Sequence, residues 1–224
     1  MAQKNQQPVQ EEQVATTVSR LEDFFKKNQK TIEWVILGIV VVVCACLAIN
    51  KWYLTPAKLE AQAQMFPAEQ KFAAGEFETA LNGDGNILGF AQIADQYGSK
   101  AGKSVWLYAG ICELQLGNSS EAVSYLKKYK SSDKIMQGRA FCAIGDAYAN
   151  LGDNAKALSY FKKAASVDDN AYTAAYLLKA GIMSETMGDN AAALGFYQQI
   201  KDNYPQTLEG FDIDKYISRI NESK

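Results

Sequence analysis

The chain contains no histidine. Imidazole zinc sites, Ser-His-Asp triads and Cys-His dyads are therefore excluded together. Chemical capacity is left to carboxylates, amines and four cysteines. Cys44 and Cys46 fall inside an apolar run, which leaves Cys112 and Cys142 as an even pair of thiols in a compartment that can be oxidising. The segment Asn82-Gly83-Asp84-Gly85-Asn86 alternates glycine with oxygen-bearing side chains. It lacks the ligand run and terminal glutamate of a calcium loop, so a tight turn is expected there. No constellation supports catalysis, and the chain reads as a non-enzyme with neither cofactor nor metal.

The elements that place these residues begin with the apolar run Trp34–Ile49, which carries no charge. With Thr31, Ile32 and Trp52–Leu54 at its edges it reaches the roughly 20 residues needed to cross a bilayer. Three fates are open to such a run: a retained transmembrane helix over 32–54, a cleaved signal peptide, or a lipoprotein signal ending at Cys44 or Cys46. The long polar stretch before it and the aromatic Trp52-Tyr53 behind it favour the retained helix. Arg20, Lys26, Lys27 and Lys30 precede the run, and Lys51 and Lys58 follow it. The cation excess predicts a cytoplasmic N-terminus and an external C-terminal part. No ionisable group lies within the run, so an anchor is expected rather than a transport path.

Ahead of the anchor, residues 1–13 are glutamine-rich and are expected to be disordered. Val14, Val18, Leu21 and Phe25 then form a helical stripe, predicting an amphipathic juxtamembrane helix over 14–31. Behind the anchor, Thr55-Pro56 reads as the N-cap and first position of a new helix, and Pro67 as a kink or restart. From Thr55 onward the chain carries 17 Lys/Arg and 20 Asp/Glu, a net charge of −3. That balance offers no overall basic footprint for nucleic acid or anionic lipid.

The remainder repeats. Gly110, Gly117 and Ala122 are echoed by Gly145, Gly152 and Ala157, and again by Gly181, Gly188 and Ala193. Gly117, Gly152 and Gly188 lie 35 and 36 residues apart, each followed by Asn or Asp. In each copy the first glycine clears room where the two helices of a hairpin cross. The second ends the first helix, and the alanine lets the second helix nest. This order of small and aromatic residues resembles the tetratricopeptide repeat, with its period of about 34 residues. Phe72 to Leu81 looks like a fourth, degenerate copy within 55–102, keeping the Gly75-to-Ala80 spacing, with Ile87–Tyr97 completing its second helix. Three clear repeats follow over 103–207, and Leu208–Ile220 in 208–224 reads as the C-terminal capping helix. The expected fold is all-α: an N-terminal transmembrane helix followed by an α-solenoid.

The resemblance implies a partner groove on the concave side. By register its lining is Ser104, Leu107, Ile111 and Leu114, then Arg139, Cys142 and Asp146, then Leu178, Ile182 and Glu185. Leu107, Ile111 and Ile182 stand where a carboxylate clamp for chaperone tails needs Lys and Asn, so that mode is disfavoured. An apolar strip suits an amphipathic helix or an extended unfolded segment. The alternative is that these leucines and isoleucines pack on the domain's own terminal helices. The same register sets Cys142 toward the concave surface and Cys112 toward its own second helix, which predicts two buried free thiols rather than a disulfide.

The layout also resembles the YfgM-like family of ancillary SecYEG translocon subunits, on the Phe24-Phe25-Lys-Lys-Asn28-Gln-Lys30 segment, one membrane helix, a Trp at its outer end and a repeat domain. The resemblance implies inner-membrane anchoring, periplasmic repeats and protein partners: translocon subunits, chaperones or exported chains. An assembly factor for one envelope complex, in cytochrome maturation or outer-membrane secretion, is the competing reading.

Overall fold

A computed structural model describes the backbone of residues 7–222 and the side chains of residues 26–222 apart from Tyr53. Among the described residues the chain is helical throughout, without strands. It divides between Pro56 and Ala57 into two compact units.

The first unit is built on α1 (Gln7–Ile49). The helix begins inside the stretch whose composition predicts disorder; residues 1–6 lie outside the described residues, as do the side chains of the Val14–Phe25 stripe. Trp34 is 73% exposed and Val42 62%, and the run between them is exposed in the same way. α1 is long and apolar enough to cross a membrane. A π-helical turn, Asn50–Leu54, follows. Thr55 keeps helical dihedrals, so it does not start a helix as an N-cap would. Its N–H and its hydroxyl both donate to the Asn50 carbonyl. The wider turn sits just before Pro56, whose ring would crowd a normal α-helical carbonyl four residues back.

The second unit is a row of antiparallel helix pairs. α2 (Thr55–Ala73) passes through Pro67 without a restart, its buried face formed by Ala61, Met65 and Ala68. Burial of that face offsets the hydrogen bond that Pro67 forgoes. α3 (Phe77–Asn82) and α4 (Phe90–Tyr97) follow. Between them the Asp84 carboxylate accepts the N–H groups of Asn86 (2.9 Å) and Ile87 (3.1 Å), a side-chain-closed turn. This turn delays α4 to Phe90, behind Gly89 as N-cap, rather than Ile87.

Three regular pairs come next: α5 (Ser104–Gln115) with α6 (Ser119–Leu126), α7 (Lys134–Asn150) with α8 (Asn154–Val167), and α9 (Thr173–Thr186) with α10 (Asn190–Asn203). α11 (Leu208–Glu222) closes the row. Each first helix ends on a glycine of positive φ: Gly117 (+85°), Gly152 (+77°) and Gly188 (+82°). The residue after it donates its N–H five residues back, Asn118 to Glu113, Asp153 to Tyr148 and Asp189 to Ser184, satisfying carbonyls at the helix end. Asp153 and Asp189 then cap the next helix by accepting from Lys156 and Ala192 N–H.

Gly75 (φ +77°) makes the same turn between α2 and α3, with Glu76 donating to Lys71. The degenerate copy is thus a helix pair of the same kind. Its departure has a cause in packing. In the regular pairs a β-carbon on Gly110 would come 2.5 Å from Leu126 Cγ, and one on Gly145 2.5 Å from Phe161 Cε1; Gly181 faces Tyr197 more closely still. The equivalent of Gly110 in α2 is Ala68, and the equivalent of Leu126 is Asp84, which lies in the turn. With no large side chain crossing there, Ala68 keeps its methyl group and is fully buried.

Candidate functional site: the inner curve of the repeats

First helices of neighbouring pairs touch, α5 with α7 and α9 with α11, so these helices line the inner curve. The core is a series of four clusters, each shared between one pair and the next. That arrangement decides the fate of the groove positions. Leu107 is 3% exposed and packs with Ala122, Leu126, Ala140 and Ile144, so it is a core residue and lines no free surface. Its side chain meets the following pair, because neighbouring first helices approach closely here. Ile111 and Leu114 are half-buried against the same cluster, Ser104 is half-buried, and Ile182 is exposed. Leu178 packs against the cluster that contains Ile213 and Ile220 of α11, the domain's own last helix.

The second half of the curve is ionic rather than apolar. Asp146 of α7 accepts from Lys179 of α9 at 2.5 Å. Glu185 of α9 is held in a fork by Arg219 of α11, Nε at 2.9 Å and Nη2 at 2.7 Å, and also accepts the Tyr197 hydroxyl at 3.0 Å. The Arg219 hydrogen bond, with help from Tyr197, holds the Glu185 carboxyl below the usual carboxylate range. Arg139 is exposed, its guanidinium 5.8 Å from the centre of the Tyr172 ring. The inner curve therefore offers a short apolar stretch at Ile111 and Leu114, then two ionic bridges between successive helices.

Lys179, Arg219 and Tyr172 are the inner-curve residues that the register missed. A signal for the bridges was present: Asp146 and Lys179 stand 33 residues apart, Glu185 and Arg219 34, each one repeat. Opposite charges at the repeat period on first helices mark a staple between repeats.

Both domain cysteines are free and buried. Cys142 lies on the curve with its thiol 3.9 Å from Asp146 Oδ2. Cys112 belongs to the first cluster, with Phe90 and Val105, so it faces the preceding helices instead of its own α6 alone. Burial pushes each thiol up to about 12, which keeps both protonated and unreactive at neutral pH. One polar atom stands out nearby: the Tyr176 hydroxyl is buried with no hydrogen-bond partner among the described residues.

Comparison with known proteins agrees with this geometry. Residues 138–170 and 174–207 each match the tetratricopeptide repeat. The chain is 28% identical over 148 residues to mouse Superkiller complex protein 3, a stretch that is 64% of this chain but 9% of that protein. Among solved structures it is similar to MamA (TM-score 0.56, 18% identity, 70% of this chain and 83% of that one). It is also similar to pilF of Pseudomonas aeruginosa (TM-score 0.51, 17% identity, 70% and 66%). At such identities the structural likeness concerns the fold. The chain thus carries tetratricopeptide repeats on an all-helical repeat fold, a module that binds other proteins.

Proposed function

We propose that this chain is a non-enzymatic scaffold anchored in a bacterial inner membrane. In this reading α1 crosses the bilayer with its N-terminus in the cytoplasm, and the helices from α2 onward stand in the periplasm. The repeats bind proteins beside the Sec translocon: its subunits, periplasmic chaperones or exported chains. The observation that carries the reading is the exposed run Trp34–Ile49, an apolar helix face that only lipid or another apolar surface can cover. The cation excess of Arg20, Lys26, Lys27 and Lys30 over Lys51 and Lys58 supports the orientation. The stretch at Ile111 and Leu114 suits an apolar segment of a partner.

Protease added to spheroplasts tests the topology, with digestion of the repeat domain expected and full protection overturning it. A photo-crosslinker at Ile111 or Ile182 in intact membranes tests the partners. Translocon subunits, chaperones or nascent chains are expected. Recovery of self-crosslinks alone would remove the proposed role.

A further inference from the structure

The outer helices of the first two regular pairs carry a feature that the inner curve does not explain. α6 ends in Tyr125-Leu126 and runs into the turn Lys127-Lys128, and α8 carries Tyr160-Phe161-Lys162-Lys163 at the same register. In α10 the corresponding stretch is Phe196-Tyr197-Gln198-Gln199. The four lysines are exposed. Lys128 Nζ lies 4.6 Å from the Trp106 ring centre and Lys163 Nζ 4.6 Å from that of Tyr160. Lys127 donates to the Tyr148 hydroxyl at 2.8 Å, and Tyr148 stacks on Tyr160 at 5.6 Å. Aromatic rings thus hold these ammonium groups in place at two equivalent points of the array. Among the described residues none of the four forms an ion pair with a carboxylate.

Charge is segregated around them. Residues 119–167 hold eight basic and four acidic side chains, a net of +4. Residues 57–98 hold two basic and six acidic, a net of −4, and residues 168–222 four and nine, a net of −5. A domain that is acidic as a whole therefore has a basic belt between two acidic ends. An anionic bilayer or a long nucleic acid laid on the belt would also meet those ends and be repelled. A short acidic polypeptide meets the belt alone.

We infer that the outer face of α6 and α8 is a second docking surface, which takes an acidic segment of a partner protein across Lys127, Lys128, Lys162 and Lys163. Carboxylates spaced along an extended chain would bridge the two lysine pairs, while the rings beside Lys127, Lys128 and Lys163 limit the entropy lost on binding. The inference is independent of the anchor and of the partner on the inner curve.

The test uses the full chain in non-ionic detergent and a fluorescein-labelled twelve-residue oligoglutamate, followed by anisotropy. Saturable binding that weakens with salt is expected. The double charge reversal K128E/K163E should weaken it at least about 10-fold, and K128Q/K163Q by a smaller factor. The control K201E/K215E alters lysines that are ion-paired to Asp214 and Asp212, and should change affinity less than about 2-fold. Circular dichroism of each variant confirms retained helix, and K128Q/K163Q serves if the reversal fails to fold. Equal loss in the control, no loss in K128Q/K163Q, or binding to phosphatidylglycerol vesicles in place of the peptide would each overturn the inference.

Discussion

Replacing Gly145 by alanine tests how the helix pairs are closed. In α7 an added methyl group would lie 2.5 Å from Phe161 Cε1 and 2.6 Å from Cδ1. Carbon atoms rest about 3.5–4.0 Å apart, so the ring must retreat by about 1 Å. Phe161 is 2% exposed and lies within a cluster of Ala157, Ala164, Tyr176 and Ala180, which leaves little room for the move. Overpacking of this kind costs about 1–3 kcal/mol. Alanine returns about 1 kcal/mol of helix propensity relative to glycine. The net expectation is a loss of up to about 2 kcal/mol, or a fall of up to roughly 8 °C in Tm for a domain of this size. Gly195 in α10 supplies the contrast, since a β-carbon there meets nothing within 4 Å. Gly195→Ala should gain about 0.5–1 kcal/mol. Urea and thermal unfolding of the full chain in mild detergent, followed by circular dichroism, measures both. If Gly145→Ala is as stable as Gly195→Ala, the close crossing of helices is not what the first glycine of each repeat secures.

Two further outcomes follow from the inner curve. The Tyr176 hydroxyl is buried without a partner, so Tyr176→Phe should be neutral or stabilising by about 1 kcal/mol in the same urea assay; a clear loss would mean that the hydroxyl is satisfied. Arg219→Ala should cost about 0.5–1 kcal/mol at pH 7, because the pair is partly exposed. The folded-state pKa of Glu185 lies below its usual 4.5, so this stabilisation is present above that value and is lost as pH falls through the depressed one. The gap between wild type and Arg219→Ala should therefore narrow as pH falls below 4.5, and a gap of constant size would refute the bridge.

Much of the fold was legible because it rests on small residues at fixed intervals. Gly117, Gly152 and Gly188 need left-handed backbone, and Ala122, Ala157 and Ala193 need close contact, so spacing alone located three helix pairs. The fourth pair was half legible. Gly75 and Ala80 kept their spacing, but the exchange of glycine for Ala68 makes sense only once Asp84 is seen outside the helix. The restart read at Pro67 and the N-cap read at Thr55 failed for a common reason: both prolines look like breaks, yet packing carries the helix through the first and a π-turn precedes the second. The groove was the least legible part. Register says which side of a helix a residue occupies, but not how near the next pair stands, and that distance turned Leu107 from lining into core. Lys179 and Arg219 lay beyond a register centred on apolar residues, although their one-repeat separation from acidic partners could have been sought.

The division of the core into four clusters has a consequence for how the domain is made. Each cluster draws on neighbouring pairs, so every contact that closes it is at most about a repeat or two away in sequence. Such local wiring keeps loop-closure costs low and folding fast. A chain delivered N-terminus first could set α2 to α5 in place before α11 had been synthesised, each new pair covering the apolar face left by the last. Order of appearance and order of assembly would then coincide, and a fault in one repeat would expose one seam instead of emptying the whole interior.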